Sequence, residues 1–365
     1  MTNAPKKIVL GIETSCDETA VGIVSSDKEI LSNVVLSQLA DHKEFGGVVP
    51  EIAARAHMDH IDELIRVALK EAQIELKDLS AIAATCGPGL IGGVMVGMMA
   101  GKALAASNDL PFIAINHLEA HALTARLTEE ISFPYLILLV SGGHTQLLVA
   151  EDVGTYKRLG TTLDDALGEC FDKSAKIMGL GYPGGPNLEK MALTCDDHQK
   201  ALEQFPLPKP MKGREGCDFS FSGLKTAVRQ HVDKMPEGDL DPVLIARLCY
   251  AFQVTVGEIL IDRCQNAVRF MRETYGIQTT LPFVICGGVA ANKHLRQSLL
   301  DLTESQDMEF IAPPLKLCSD NGVMIAWTGV EKLNKNITDS LDVAARPRWP
   351  LDPTAEKKIG AGVKA

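Results

Sequence analysis

Two histidines four residues apart, His117 and His121, stand in the segment INHLEAHALTA. On a helix such a pair projects from one face with Cβ atoms about 5–6 Å apart, a bite that suits one divalent cation. Two imidazoles need at least one further ligand. Among the downstream acids Asp320, in CSDNG, is the candidate, because it sits in a turn that opens a helical segment. A mixed imidazole and carboxylate set suits Fe2+ or Zn2+ with positions left open for substrate. Each residue also has a plainer reading: ordinary, partly buried histidines, and an aspartate that caps its helix. A zincin-type peptidase is disfavoured. The HExxH signature places its glutamate beside the first histidine. Here Glu119 comes two residues later, about 200° round the helix and away from the metal face. A second pair, His57 and His60, lies among surplus acids in AHMDHIDE and reads as a solvated face.

Other motifs divide into rejected and retained chemistry. CGPGLIGGVMVGMMAGK ends in Gly-Lys, but Val96 and Ala103 stand where a phosphate-binding P-loop needs glycine and Ser/Thr. Gly93, Gly97 and Gly101 share one helical face there and suggest close approach of another helix, within the chain or from a partner. VSGGHT carries Leu139 where a nucleophile elbow needs glycine, so Ser141 is no hydrolase nucleophile. The same turn does offer backbone N–H groups and hydroxyls to phosphate or carboxylate oxygens. CGGVAAN (286–292) follows a strand and opens a helix, a natural seat for a nucleotide. In FDK the helical wheel groups Leu163, Ala166, Leu167, Cys170 and Phe171 as the buried stripe and leaves Asp172 solvated. Thr162 with Asp165 resembles a capping box.

The elements that must position these residues follow from composition and periodicity. A chain of 365 residues, 46% hydrophobic, can bury a large core or two similar ones. Nine scattered cysteines, none in a C-x-x-C pair, argue against a disulfide scaffold or thiolate zinc finger and for a reducing compartment. The N-terminus shows no apolar leader and runs straight into a strand, which reads as cytoplasmic. A formal net charge of −11 gives no general grip on nucleic acid. Local basic patches at 209–214, 223–231 and 345–349 would have to supply one.

Residues 7–35 read as three apolar strands joined by small polar turns, and 134–162 repeat that grammar with Ser-Gly-Gly-His-Thr in the first turn. Each set is followed by helical segments and a later strand, at 79–89 and 282–288. Alternating strands and helices predict an α/β protein with helix-covered sheets. A duplicated β-β-β-α-β-α unit is the layout of the actin-like, sugar-kinase- and Hsp70-like fold, two lobes around a nucleotide cleft. The expected division is a first lobe over 1–132 and a second over 133–345. The second holds an insertion at about 195–245, and a loosely ordered tail runs over 346–365.

Read in order, GIETSCDETA, EIAARAH, GPGLIGG, NHLEAH, LVSGGHTQL, GECFDKSAK, YPGGP, FSFSGLKT, CGGVAAN and CSDNGVMIA resemble the motifs of the universal tRNA threonylcarbamoyladenosine transferase family. Its members once carried the label O-sialoglycoprotein endopeptidase. The match runs from about residue 8 to 345, and its His segment is similar to the bacterial type. The resemblance implies a metal-dependent acyltransferase. It moves the threonylcarbamoyl group of threonylcarbamoyl-adenylate to N6 of adenosine 37 in tRNAs reading codons that begin with A, and AMP leaves. It implies one Fe2+ (or Zn2+) held by His117, His121 and Asp320, closing between the lobes. It implies an adenylate site lined by Leu139, Val140, Ser141, Gly142, Gly143, Asp172, Gly185 and Asn292, which sets Asp172 against its helical-wheel reading. Glu13 is the candidate acceptor of the amine proton, and Glu189 stays unassigned. Implied partners are tRNA, an inactive paralogue and a small ATPase. The competing readings are an actin-fold kinase, the historical metalloprotease and a non-catalytic scaffold.

Overall fold

The computed structural model describes residues 6–45, 47–236, 238, 240–356 and 358. The first five residues, on which the expectation of a leaderless N-terminus partly rests, lie outside the described residues, as do most of those after 356.

In chain order the first half contains β1 (Ile8–Glu13), β2 (Glu18–Ser25), β3 (Ile30–Ser37), α1 (Leu39–His42), α2 (Pro50–Ala72), β4 (Ala81–Gly87), α3 (Ile91–Ser107), β5 (Phe112–Asn116) and α4 (His117–Thr128). The second contains β6 (Tyr135–Val140), β7 (Thr145–Asp152), β8 (Thr155–Thr161), α5 (Leu167–Ile177), α6 (Gly184–Ala192), α7 (His198–Gln204), α8 (Ser222–Val232), α9 (Pro242–Tyr275), β9 (Leu281–Cys286), α10 (Lys293–Ser305), β10 (Met308–Ile311) and α11 (Gly322–Asn334).

The expected duplication is present. One sheet runs β3-β2-β1-β4-β5 and the other β10-β9-β6-β7-β8, the same order read from opposite ends. In each, the first two strands pair antiparallel and the later strands pair parallel to the first. Each repeat is longer than the sequence pattern suggested. A fifth strand (β5, β10) and a further helix (α4, α11) follow the fourth. Those last helices carry or adjoin the candidate metal ligands. The sheet-centre strands IVLGIE and YLILLV are apolar, except for the terminal Glu13, because helices cover both faces. This is the actin-like duplicated α/β fold.

The chain divides into two compact units. The first takes the residues up to Ile131, Asp152–Thr155 and Pro313–Pro353. The second takes Ser132–Glu151, Tyr156–Ala312 and the residues from Thr354 on. This departs from the linear division at 132/133 and 345/346, because α11 returns to the first sheet. The reason is steric. A Cβ on Gly11 of β1 would stand 2.2 Å from the Ala326 nitrogen, and one on Gly22 of β2 would stand 2.3 Å from that of Val323. Gly11 and Gly22 are cross-strand partners, so their bare backbones form one shallow seat on which α11 rests. Strand alternation puts Leu10 and Ile12 on the opposite face, in the core beneath α2 and α3. The segment after α11 is also pinned to the first unit. Asp339 N–H donates to the Phe112 carbonyl (2.8 Å), Arg346 N–H to that of Cys86 (2.7 Å) and the Asn116 amide to that of Trp349 (2.9 Å). The tail is therefore ordered through Pro353, against expectation.

The second unit is built around α9, capped by Asp241 at its start and by Gly276 in the left-handed conformation at its end. Among the described residues α9 is the one helix long and apolar enough to cross a bilayer, and it is mostly buried within its unit. Phe252 on α9 meets Phe171 on α5 edge to face, with centroids 5.1 Å apart. The segment expected as an insertion holds α7, α8 and an irregular stretch between them. Asp164 binds that stretch through the Ser220 and Ser222 hydroxyls and the N–H groups of Phe221 and Ser222.

Candidate metal centre and nucleotide pocket

His117, His121 and Asp320 converge. One ligand atom from each lies within 4.8 Å of the other two. His121 Nε2 stands 3.1 Å and His117 Nε2 3.6 Å from Asp320 Oδ1, and the two rings meet edge-on with centroids 4.7 Å apart. All three belong to the first unit. The expectation of two histidines from one lobe and a carboxylate from the other is corrected by the placement of α11.

Local structure explains the convergence. Asn116 is the N-cap of α4, its Oδ1 accepting the N–H groups of Leu118 (2.9 Å) and Glu119 (3.4 Å), so His117 opens the helix and His121 follows one turn on. The cap of α11 is Asn321, whose Oδ1 accepts Met324 N–H (3.0 Å). Asp320 is thereby spared the capping role that its position allowed.

Glu13 is held too firmly for the role of mobile base. It is fully buried. Oε2 accepts from the Thr85 hydroxyl (2.5 Å) and lies 3.0 Å from His117 Nδ1, while Oε1 accepts Ser15 N–H (2.5 Å). A carboxylate on Nδ1 keeps the proton on that nitrogen, so that Nε2 is the atom that gives up its proton to become a lone-pair donor toward a cation, the outer-shell arrangement of metal-bound histidines. Alternation along β1 places Glu13 on the same sheet face as Gly11, the face α11 covers.

Negative charge accumulates here. Burial disfavours the His117 imidazolium, but the Asp320 and Glu13 carboxylates outweigh it and raise the ring to about 9. Burial would lift Glu13, yet the charge and hydrogen bond of His117 hold it below the usual carboxylate range. Burial, followed by the Asp320 and Asp17 charges, pushes Glu18 up to about 10. Crowded carboxylates beside two imidazoles with Nε2 presented inward form a donor set that fits a divalent cation, and a cation there relieves their mutual repulsion.

Glu119 does point away from this centre. Its Oε2 pairs with Lys332 of α11 (3.0 Å), both side chains buried, and its Oε1 accepts Gly154 N–H (2.7 Å). It is a brace between helices of the first unit.

The second unit holds a pocket of about 230 Å3. It lies beyond the carboxyl ends of the parallel neighbours β6 and β9, where open α/β sheets take ligands. Of the eight residues expected there, Gly142, Asp172, Gly185 and Asn292 line it. Leu139 and Val140, consecutive on β6, are buried on opposite faces of the sheet and do not line the pocket. Ser141 closes the hairpin, accepting His144 N–H on its hydroxyl (3.0 Å). Gly142 and Gly143 stay exposed at the tip, Gly143 outside the lining. Gly287, at φ +91°, lets β9 pass within contact of the Val140 carbonyl, where a Cβ would stand 2.4 Å from that oxygen. Asn292 caps α10 through Leu295 N–H (3.0 Å) and donates to Gln253 (2.9 Å).

Asp172 corrects its helical-wheel reading. It is half-buried in the pocket wall, its Oδ1 accepting Gly184 N–H (2.8 Å). Burial raises its pKa, moderated by the Gly184 and Gly185 N–H groups. The wheel failed because α6, not solvent, faces that side of α5. Glu189, left unassigned, also lines the pocket, and its Oε1 accepts Lys293 N–H (2.7 Å). Its position four residues after Gly185, on the same face of α6, was the available signal.

Three further expectations change. Of the glycine face, Gly93 meets His57 of α2, the within-chain helix contact that was expected, while Gly97 and Gly101 are buried against Ile12 and Ala84 of their own sheet, so that face is closed to any partner. His57 is buried rather than solvated, bonded to the Thr19 hydroxyl (2.8 Å) and near the Cys16 carbonyl (3.1 Å). Thr162 bonds the Asp165 carbonyl (2.6 Å), while the Asp165 carboxylate pairs with Lys173 and Lys225, so no capping box forms there.

Comparison with known proteins agrees with these features. The family profile described as "TsaD: tRNA N6-adenosine threonylcarbamoyltransferase" matches residues 29–327. A protein of that name from Rhodospirillum rubrum is 55% identical over 363 residues, covering 98% of both chains. One from Brucella anthropi is 54% identical over 359 residues, covering 97% of this chain and 98% of the relative. Among solved structures, "T.kodakarensis HypF" shares the fold at TM-score 0.59 and 14% identity, over 91% of this chain and 49% of that one. A full-length HypF in a phosphate- and nucleotide-bound form does so at TM-score 0.57 and 13% identity, over 92% and 56%. The ordered motifs, the converged ligand set and the full-length relatives place the chain in one group: it belongs to the tRNA N6-adenosine threonylcarbamoyltransferase family.

Proposed function

We propose that this chain transfers the threonylcarbamoyl group of threonylcarbamoyl-adenylate to N6 of adenosine 37 in tRNAs reading codons that begin with A. The new bond joins N6 to the carbamoyl carbon. The bond between that carbon and the phosphate oxygen breaks, AMP departs with the electron pair, and N6 loses one proton. The donor is already a mixed anhydride, so no protein nucleophile is needed. The observation that carries the reading is the convergence of His117, His121 and Asp320 in a chain of this family.

His117, His121 and Asp320 would hold the cation, Fe2+ in our reading, with Zn2+ admitted by the same donors. Such an ion supplies Lewis-acid polarisation of an oxygen and a fixed positive charge. Glu13 acts as a positioning residue, fixing the His117 tautomer and ring. In the second unit, the Gly142 turn and the α6 N-terminus suit the phosphate of the adenylate. Phe171 and Val289 offer apolar surface to its base, and Asp172 shapes the wall by holding Gly184. Immobilising the adenylate in this way reduces the entropy cost of presenting its carbonyl to the amine. A kinase reading leaves the histidine pair unused, and the Glu119 brace removes the peptidase's base.

The reading includes cytoplasmic location and protein partners, an inactive paralogue and a small ATPase. With the glycine face of α3 closed, the opposite face supports a docking role. Ile91, Met95 and Met99 are 46%, 48% and 54% exposed in one stripe, beside Met58 of α2 at 67%. These are exposed apolar side chains on two helices that pack together, of the kind protein interfaces use.

The test is direct. Purified chain, with and without the bacterial partners, is incubated with threonylcarbamoyl-adenylate and unmodified tRNA, and nucleosides are quantified by mass spectrometry. Wild type should yield the modified nucleoside and stoichiometric AMP, and Asp320→Ala should yield neither above background. Equal product from both removes Asp320 from the working centre.

A further inference from the structure

The second unit carries a larger depression, about 400 Å3, away from the adenylate pocket. Its walls come from β8 (Lys157, Arg158), the 215–217 loop and the later part of α9 (Arg269, Phe270, Glu273). We propose that this depression is a tRNA-backbone subsite, in which Lys157 and Arg269 receive phosphate. The proposal rests on tRNA being the substrate.

Charge pairing within the second unit narrows the choice. In two of the basic stretches that the sequence offered, the lysines are held by internal pairs. Lys209 and Lys212 both bind Glu258, and Lys225 binds Asp165. Lys157 and Arg269 have no carboxylate partner among the described residues, and both are exposed at the rim. The Lys157 ammonium rests 4.8 Å over the Phe270 ring, which orients it without neutralising it. In a chain of net charge −11, phosphodiester approach is favourable only over such uncompensated cations.

The walls are rigid enough to act as a site. Arg263, fully buried, donates to the Gly216 and Arg214 carbonyls (3.1 and 2.8 Å), and the Asn266 amide donates to the same two (2.8 and 3.0 Å). The 214–216 loop is thus clamped to α9. Glu215 and Glu273 also face the depression and repel a bare polyanion. They accept hydrogen bonds from hydroxyl or amino groups, so the favoured ligand carries donors beside its phosphates. An RNA strand does, through its 2′-hydroxyls, which a DNA strand lacks.

The test measures tRNA binding by the full chain, by filter retention, across a salt series. Lys157→Glu/Arg269→Glu is compared with wild type and with Lys70→Glu/Lys77→Glu, which makes the same charge change on the first unit. The rim variant should weaken tRNA binding roughly tenfold or more and flatten the log–log salt slope by about one to two, as losing two phosphate contacts requires. AMP affinity should be unchanged, and DNA of the same sequence should show a smaller effect. Lys157→Ala/Arg269→Ala should show the same direction to a lesser degree, which guards against misfolding of the reversal. Unchanged tRNA affinity and slope, a loss equal to that of the control pair, or no tRNA binding by wild type overturns the subsite. That holds also where the rim variant instead loses an acidic protein partner. Transfer by wild type, measured in the same preparation, reports separately on the enzymatic reading.

Discussion

Replacing Glu119 by alanine removes half of an ion pair sealed inside the first unit. The Glu119 and Lys332 side chains are 3% and 9% exposed, and Oε2 lies 3.0 Å from Nζ. After the change Lys332 keeps one other acceptor, the Ala114 carbonyl at 3.2 Å. An ammonium left in that state costs about 3–5 kcal/mol. Gly154 N–H also loses Glu119, but Gly154 is exposed and water replaces the acceptor at little cost. The assay is built into the chain. Its two tryptophans, Trp327 and Trp349, both belong to the first unit, and Trp327 Nε1 donates to Leu123 of α4 (3.1 Å). With an m-value of about 2–3 kcal/mol/M, the urea midpoint of the tryptophan transition should fall by roughly 1.5 M. Glu119→Leu/Lys332→Met, which removes both charges, should recover most of that loss. Metal stoichiometry of the folded variant, read by elemental analysis, should stay that of wild type. A Glu119→Ala protein with an unshifted midpoint, or one that folds normally but loses metal, refutes the brace and returns Glu119 to the metal chemistry.

Asp320→Ala should abolish stoichiometric metal retention while leaving the tryptophan unfolding midpoint within about 1 kcal/mol of wild type, since the carboxylate is partly exposed and Asn321 does the capping. Glu13→Gln keeps side-chain shape but withdraws the anionic partner of His117, and metal affinity by competition with a chelator should drop about 10–100-fold; an unchanged affinity contradicts the positioning role. Asp164 is half-buried, and its bonds to Ser220, Phe221 and Ser222 outweigh burial and hold its pKa below the usual range. A depressed carboxylate stabilises the fold above its unfolded value and ceases to do so as pH falls through the folded one. The stability gap between wild type and Asp164→Asn should therefore be constant from about pH 5 to 8 and close below about pH 4; a gap that widens in acid contradicts the assignment.

Periodicity alone was enough for the class of fold. Apolar runs as regular as IVLGI and YLILLV, each followed by a polar turn and a second strand, have one stable resolution, a helix-covered sheet, and their recurrence exposes the duplication. The i,i+4 spacing of His117 and His121 is likewise a local property, because one helical turn sets it. Three matters needed the packed chain. Asp320 joins the histidines because Gly11 and Gly22, distant in sequence, make a seat for α11. Asp172 faces a pocket because α6 packs where a helical wheel assumes water. The glycine stripe of α3 turned inward while Met95 and Met99 turned outward, since both faces of that helix are apolar and only the neighbouring sheet breaks the tie. Spacing within one element is decided by bond geometry. Which element a side chain meets is decided by burial summed over the whole chain, and no short window of residues contains that sum.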